Sequence, residues 1–268
     1  MTCCRPRVNL LPYGAGKLLK TSGIMGKNQP DEVILKRFYE TASVVAAEGT
    51  HNGFHVALDG RVIKSPAKRD LILPNAALAA AIADEWQAQG AKIIPASMAM
   101  MTLAATAVDR VTPQRAEVIE MIAAYGGTDL ICYRVTEPAD LVARQQCQWQ
   151  PLLEWVDAHH GARLAVADSL MPVTQSAPAL AAIRAAISSY NDFELAPLHT
   201  LTATAGSVII ALAVLANHID GATAFALSQL DESYQIERWG LDDDAKQRRE
   251  GIYATIENAA KFVQILRD

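Results

Sequence analysis

Hydrophobic and polar positions change period once along the chain. Residues 1 to 35 carry no sustained period and are punctuated by Pro6, Pro12, Gly14, Gly16, Gly23, Gly26 and Pro30, so they are expected to form a flexible N-terminal segment. From Phe38 to Leu73 the pattern is that of strands. Val44 and Val45 form one β-branched run, Phe54, Val56 and Leu58 alternate, and Val62-Ile63 and Leu71 to Leu73 follow. Asp59-Gly60 suits the positive φ angles of a two-residue type I′ turn, which predicts a hairpin over Gly53 to Ser65. A helix is expected over Pro74 to Gln89, with proline early, Gly90 as its stop, and Leu78, Ile82 and Trp86 on one face.

Beyond that point the helical period dominates. The expected helices are Gln114 to Tyr125, closed by Gly126-Gly127, then Pro138 to His160, Pro178 to Tyr190, Pro197 to Ile219, Gly221 to Trp239 and Asp242 to Leu266. Leu130 to Tyr133 is short and apolar and fits either strand or helix. Strands early and helices late define an α+β protein, an N-terminal β-rich α/β domain followed by a C-terminal all-helical orthogonal bundle. The divisions expected are residues 1–35, 36–110 and 111–268.

Composition narrows the partners. The 268 residues hold 24 Lys plus Arg against 29 Asp plus Glu, a net charge of -5, so no global basic field gathers nucleic acid. Arg5, Arg7, Lys17, Lys20 and Lys27 meet no acid within residues 1 to 27, which leaves an acidic body behind a basic start. Such a start is either an organelle-targeting leader or the unstructured beginning of a bacterial protein, and the second reading is taken. Cys3, Cys4, Cys132 and Cys147 include no CxxC pair, so neither a zinc knuckle nor a disulfide framework is encoded and a reducing compartment follows. Leu195 to Ile219 bears no formal charge, but Thr200, Thr202, Thr204, Gly206, Ser207 and Asn217 dilute it. It reads as a buried helix and not as a membrane insertion.

No catalytic constellation assembles. Gly14-Ala15-Gly16 lacks the third glycine and preceding strand of a dinucleotide fingerprint, and no two of the six histidines have the i, i+4 spacing of a metal pair. His159 and His160 read as solvated groups at a helix C-terminus. Asp242-Asp243-Asp244 reads as a helix start, with Asp242 facing Lys246 and Asp244 facing Arg248. Catalytic residues, cofactor and metal are therefore all expected to be absent. Trp86 and the run Met98, Met100 and Met101 read as core, and Glu85 as solvated.

One helical face departs from the apolar stripe of Leu227, Leu230 and Tyr234. On a helical wheel Ser228, Asp231, Glu232, Gln235 and Trp239 fall together, which groups two carboxylates, an amide and an indole. Such a face suits recognition, since a carboxylate accepts charge-assisted bonds and Trp supplies contact area. The plainer alternative is that Trp239 tucks under the chain at Gly240 while the acids face water.

Several stretches together resemble a known family. They are Arg37-Phe38-Tyr39, Leu58-Asp59-Gly60-Arg61 with Lys64 and Pro66, Glu85-Trp86 with Gln89, Asp129 to Arg134 (DLICYR), Trp149 with Pro151 and Trp155, and LDESYQIERWG ending at Gly240. In order and spacing, from about Arg37 to Leu266, they resemble the chaperones that protect the ATP synthase alpha subunit during assembly of the catalytic head. The chain departs from that family at Met98-Ala99-Met100-Met101, where Met-Pro-Met-Thr is usual. The resemblance implies a non-enzymatic, monomeric chaperone without cofactor, which binds the unassembled alpha subunit until beta subunit displaces it. It places an essential acid at Glu232, and the wheel adds Asp231, Gln235 and Trp239 as its expected support against the alpha subunit; the expected compartment is the bacterial cytoplasm, with the mitochondrial matrix as the alternative. A small-molecule enzyme with an acidic cleft at Asp231 and Glu232, and a generic holdase, are the alternative functions.

Overall fold

The computed structural model describes residues 35–47, 49, 53–167 and 173–268. The expectation of a flexible 1–35 segment falls, except for Leu35, outside the described residues. Three antiparallel strands, β1 (Ala42–Ala46), β2 (Phe54–Leu58) and β3 (Arg61–Val62), lie in the order β1-β2-β3, with Val44 opposite Val56 and Leu58 opposite Arg61. The turn between β2 and β3 has φ of 48° at Asp59 and 78° at Gly60, the two positive angles that the dipeptide predicts. Asp59 also gathers the chain entering β1, because its carboxylate accepts the backbone N–H groups of Glu40 and Thr41. Those bonds hold its pKa below the usual carboxylate value.

Helix α1 (Ala76–Gln87) starts where the Asn75 side chain accepts the Leu78 N–H at 2.8 Å, and it packs Leu78 and Ile82 onto Val56, Leu71 and Leu73 of the sheet layer. Met98, Met100 and Met101 join this core as expected. One large member comes from far away. Phe262, fully buried, projects into it from α10 (Asp243–Ile265), and Asn75 Nδ2 donates to the Ile265 carbonyl at 2.7 Å.

A helical run leads to the second core. Helix α2 (Ala99–Thr106) passes through a π-turn (Ala107–Val111) and a 3₁₀ turn (Thr112–Gln114) into α3 (Arg115–Ala124). The second core is built by α3, α4 (Ala139–His160), α5 (Ala177–Ser188), α6 (Asp192–Ala205), α7 (Val208–Leu215), α8 (Gly221–Ser228), α9 (Leu230–Trp239) and α10. A small β-sheet region followed by a bundle of helices is the α+β arrangement expected. Among the described residues no helix is long and apolar enough to cross a membrane.

Two expected helices prove to be pairs. The stretch Pro197 to Ile219 divides at Gly206, whose φ of 69° ends α6, and at Ser207, whose side chain accepts the Ile210 N–H to start α7. Helix α6 moreover begins before Pro197, at an Asn191 and Glu194 capping box. The stretch Gly221 to Trp239 breaks at Gln229, whose φ and ψ of -109° and 21° leave the helical region. Leu130 to Tyr133 is a 3₁₀ turn over Leu130–Cys132, after which Tyr133 bridges to Ala167.

Two residue readings also change. Glu85 is half-buried rather than solvated, because its carboxylate accepts the N–H groups of Met100 at 2.7 Å and Met101 at 2.8 Å and so caps α2. His160 is half-buried against Trp155, at 5.6 Å between ring centroids, while His159 is exposed with its Nδ1 2.9 Å from the Trp155 carbonyl.

Candidate functional site

The face singled out in the sequence lies on α9, a helix anchored in the core only by Leu230 and Tyr234. Polar contacts to its neighbours fix the rest of it. On one flank, Glu232 Oε1 accepts from Arg248 Nη2 at 2.6 Å and Oε2 from Arg249 Nη1 at 2.8 Å, while Arg249 also donates to Ser233 Oγ. On the other, α4 supplies partners. Arg144 donates to both oxygens of Glu237, Asp140 accepts from the Tyr234 hydroxyl at 2.7 Å and pairs with Arg238, and the Arg238 guanidinium sits 3.6 Å above the Tyr234 ring.

Asp231 is held from below. Gln145, almost wholly buried, donates its amide N–H to Asp231 Oδ1 at 2.8 Å and accepts the Val135 N–H at 2.9 Å. Arg134, the last residue of the DLICYR stretch, donates to the Ile131 and Gln145 carbonyls and lies over the Trp149 ring. The motif near residue 130 therefore acts structurally on the motif near residue 231.

This electrostatic lattice sets the protonation of its acids. Partial burial alone would raise the Glu232 pKa, but the hydrogen bonds from Arg248 and Arg249 outweigh it and the net value is lowered. Glu237 is lowered chiefly by the bond from Arg144, and Asp140 chiefly by that from Tyr234. All three remain carboxylates at neutral pH.

The structure brings Asp231, Glu232, Gln235 and Trp239 onto one helix but leaves Ser228 out. Ser228 ends α8, is buried, and turns its hydroxyl to the Phe225 carbonyl, since the break at Gln229 interrupts the wheel that grouped it with the others. Gln235 is exposed, and Trp239 is 77% exposed with Leu241 beside it at 42%. Gly240, at φ of 85°, turns the chain away and leaves the indole projecting, so it is not tucked under the chain. The arginines were not legible as members of the site. Arg248, expected to face Asp244, reaches Glu232 instead, and Asp242 caps α10 by accepting the Ala245 N–H. Among the described residues no group of three or more His, Cys, Asp or Glu is placed to hold a metal ion.

The face is thus an ion-paired helix that presents one bare indole to solvent, with no catalytic or metal-binding group assembled on it among the described residues, and comparison with known proteins gives the class of the chain. A crystal structure of Atp12 from Paracoccus denitrificans shares 38% identity with a TM-score of 0.82, covering 87% of this chain and 99% of that one. A solved protein from Agrobacterium tumefaciens shares 36% identity with a TM-score of 0.80, covering 87% of this chain and 85% of that one. The mitochondrial atp12 protein of Schizosaccharomyces pombe is 27% identical over 203 residues, 71% of this chain and 69% of its own length. Residues 36–157 match the model of the ATP12 chaperone proteins. The chain belongs to the ATP12 family, chaperones of ATP synthase catalytic-head assembly and not enzymes.

Proposed function

We propose that this chain binds the unassembled alpha subunit of ATP synthase through the α9 face and holds it until beta subunit covers the same surface. An unassembled subunit exposes apolar surface and strand edges that aggregate unless capped, and a cap of moderate affinity is displaced by a larger native interface through mass action. The observation that carries the assignment of the face is the exposure of Trp239 at the end of a helix whose acids are already matched within the chain, Glu232 and Glu237 by arginines and Asp231 by the Gln145 amide. The indole and Leu241 supply apolar contact area, and Gln235 an adaptable hydrogen-bonding group. Glu232 and Asp231 serve the surface by fixing the pitch of α9 between α4 and α10, and less by offering a bare charge. Bacterial cytoplasm and mitochondrial matrix both suit this client.

The test is light scattering of isolated alpha subunit with and without this protein, followed by size exclusion. Suppressed scattering, a discrete one-to-one complex and its dissolution by beta subunit are the expected results. Unchanged scattering with no complex would overturn the reading. Equal capture of unrelated unfolded chains in competition would mark a generic holdase instead.

A further inference from the structure

A second surface lies on the sheet side of the molecule, remote in sequence from α9. A groove of about 360 Å³ is lined by Trp86 of α1, by Ile93, Pro95 and Met98 between α1 and α2, and by Met101 and Ala105 of α2. Its volume falls near the lower end of the ~300–1,000 Å³ of small-ligand pockets, room for a few side chains of an extended segment and too little for a helix. Thr102 and Thr106 border it but turn their hydroxyls back onto the Met98 and Thr102 carbonyls at 2.8 Å each, which leaves methyl groups along the rim. The methionines make the wall adaptable to side chains of different shape. The Trp86 Nε1 donor is buried and has no acceptor among the described residues.

The end of the groove carries both signs of charge, but only the cation is free to pair. Asp109 and Arg110 both border it, but the Asp109 carboxylate is consumed by the Ser65 hydroxyl and by the Ala67 N–H at 3.0 Å. Arg110 is exposed and pairs with no carboxylate among the described residues. Both residues belong to the π-turn Ala107–Val111, in which the Thr112 N–H reaches back to the Ala107 carbonyl. A π-turn inserts one residue into the helical path and re-aims the side chains it carries, and such turns concentrate at functional sites. Here it sets the guanidinium at the mouth of an apolar channel.

We propose that this groove takes an extended apolar segment of the unassembled alpha subunit that carries a carboxylate, with the apolar side chains against Met98 and Met101 and the carboxylate on Arg110. The proposal rests on the reading that alpha subunit is the client. It makes capture two-pointed, α9 supplying one contact and the groove a second, and linking two weak contacts raises the overall affinity without a large interface.

The experiment places a benzophenone photocrosslinker at position 94 of the full chain, where Ile94 is exposed between the groove residues Ile93 and Pro95, and separately tests Arg110→Glu, Arg110→Lys and Thr102→Trp in the scattering assay. All four changes are at exposed positions, and circular dichroism and urea midpoints verify that each variant is folded. The expected results are a crosslink to alpha subunit, roughly tenfold weaker capture by Arg110→Glu and Thr102→Trp, and retention by Arg110→Lys. A crosslink to residues preceding Leu35 or to a second copy of the chain, or no crosslink while capture is normal, overturns the groove assignment and leaves the α9 reading standing. Unimpaired capture by both Arg110→Glu and Thr102→Trp overturns it equally. If the unaltered chain captures no alpha subunit, the reading of the client fails first and the groove assignment falls with it.

Discussion

Asp129 accepts the backbone N–H of Ile209 at 3.2 Å across eighty positions of sequence. Its other oxygen accepts the Ile131 N–H, so one fully buried carboxylate caps the 3₁₀ turn of the DLICYR stretch and the first turn of α7. Asp129→Ala would leave buried donors at both places unsatisfied, at a cost of about 2–4 kcal/mol. Urea denaturation of the purified variant checks this, and a midpoint equal to that of the unaltered chain would refute it.

The same residue gives stability a pH dependence. Burial pushes the Asp129 pKa up to about 6, against the opposing bonds from Ser207 and the backbone. The folded chain therefore binds a proton more tightly than the unfolded chain. The stabilisation linked to that proton is complete below the unfolded carboxylate value and is lost as pH rises through about 6. Comparison of urea midpoints for the unaltered chain and Asp129→Asn between about pH 4 and about pH 7 should show their difference changing across this window and flat above it.

Trp239 offers the cleanest separation of binding from folding. With 77% of its surface exposed, Trp239→Ala should move stability by no more than about 0.5 kcal/mol. Loss of an interface anchor of this type should nonetheless weaken client capture by about 2 kcal/mol or more. Titration of alpha subunit in the scattering assay measures the second quantity, and unaltered capture would remove Trp239 from the interface.

Glu232 behaves differently because it is spoken for within the chain. Its two arginines are unequal, the side chain of Arg248 being 63% exposed and that of Arg249 only 15%, so solvent screening discounts the first pair more than the second. Glu232→Gln should cost about 1 kcal/mol of stability or less and weaken capture. Glu232→Lys sets three cations together and should loosen α9 from α10, which would appear as faster proteolysis at Arg238. Resistance of the Lys variant equal to that of the unaltered chain would show that α9 is held by other means.

Glu85→Gln tests the cap on α2. Burial raises the Glu85 pKa although the Met101 and Met100 N–H groups oppose it, and the amide can accept from only one of those two donors. A loss of about 1 kcal/mol is expected in the urea midpoint, with capture through α9 unchanged.

Local signals explain which parts of this molecule can be read from its residues. The Asp59-Gly60 hairpin and the approximate starts of α1 and α10 depend on neighbours within four positions and are legible. The division of α6 from α7 left a local trace in Gly206-Ser207, but the lack of any charged residue from Leu195 to Ile219 makes the stretch read as one buried helix. What joins the site is not local at all. Glu232 finds its arginines 16 and 17 positions away, Asp231 its glutamine 86 away and Glu85 its donors 15 and 16 away, and each meeting is set by tertiary packing that no spacing rule encodes. The shift of Ser228 out of the face has the same origin, since the break at Gln229 follows no glycine or proline.

The burial of Phe262 among residues of the sheet layer has a consequence for synthesis. The chain emerges from the ribosome N-terminus first, so the strands and α1 appear long before the aromatic ring that completes their interior and the Ile265 carbonyl that engages Asn75. Until α10 is released, that layer keeps an unfilled apolar socket. The sheet layer of this chaperone thus waits, incomplete, on residues some 190 positions beyond Asn75, and while being made is itself a chain with an exposed surface in need of cover.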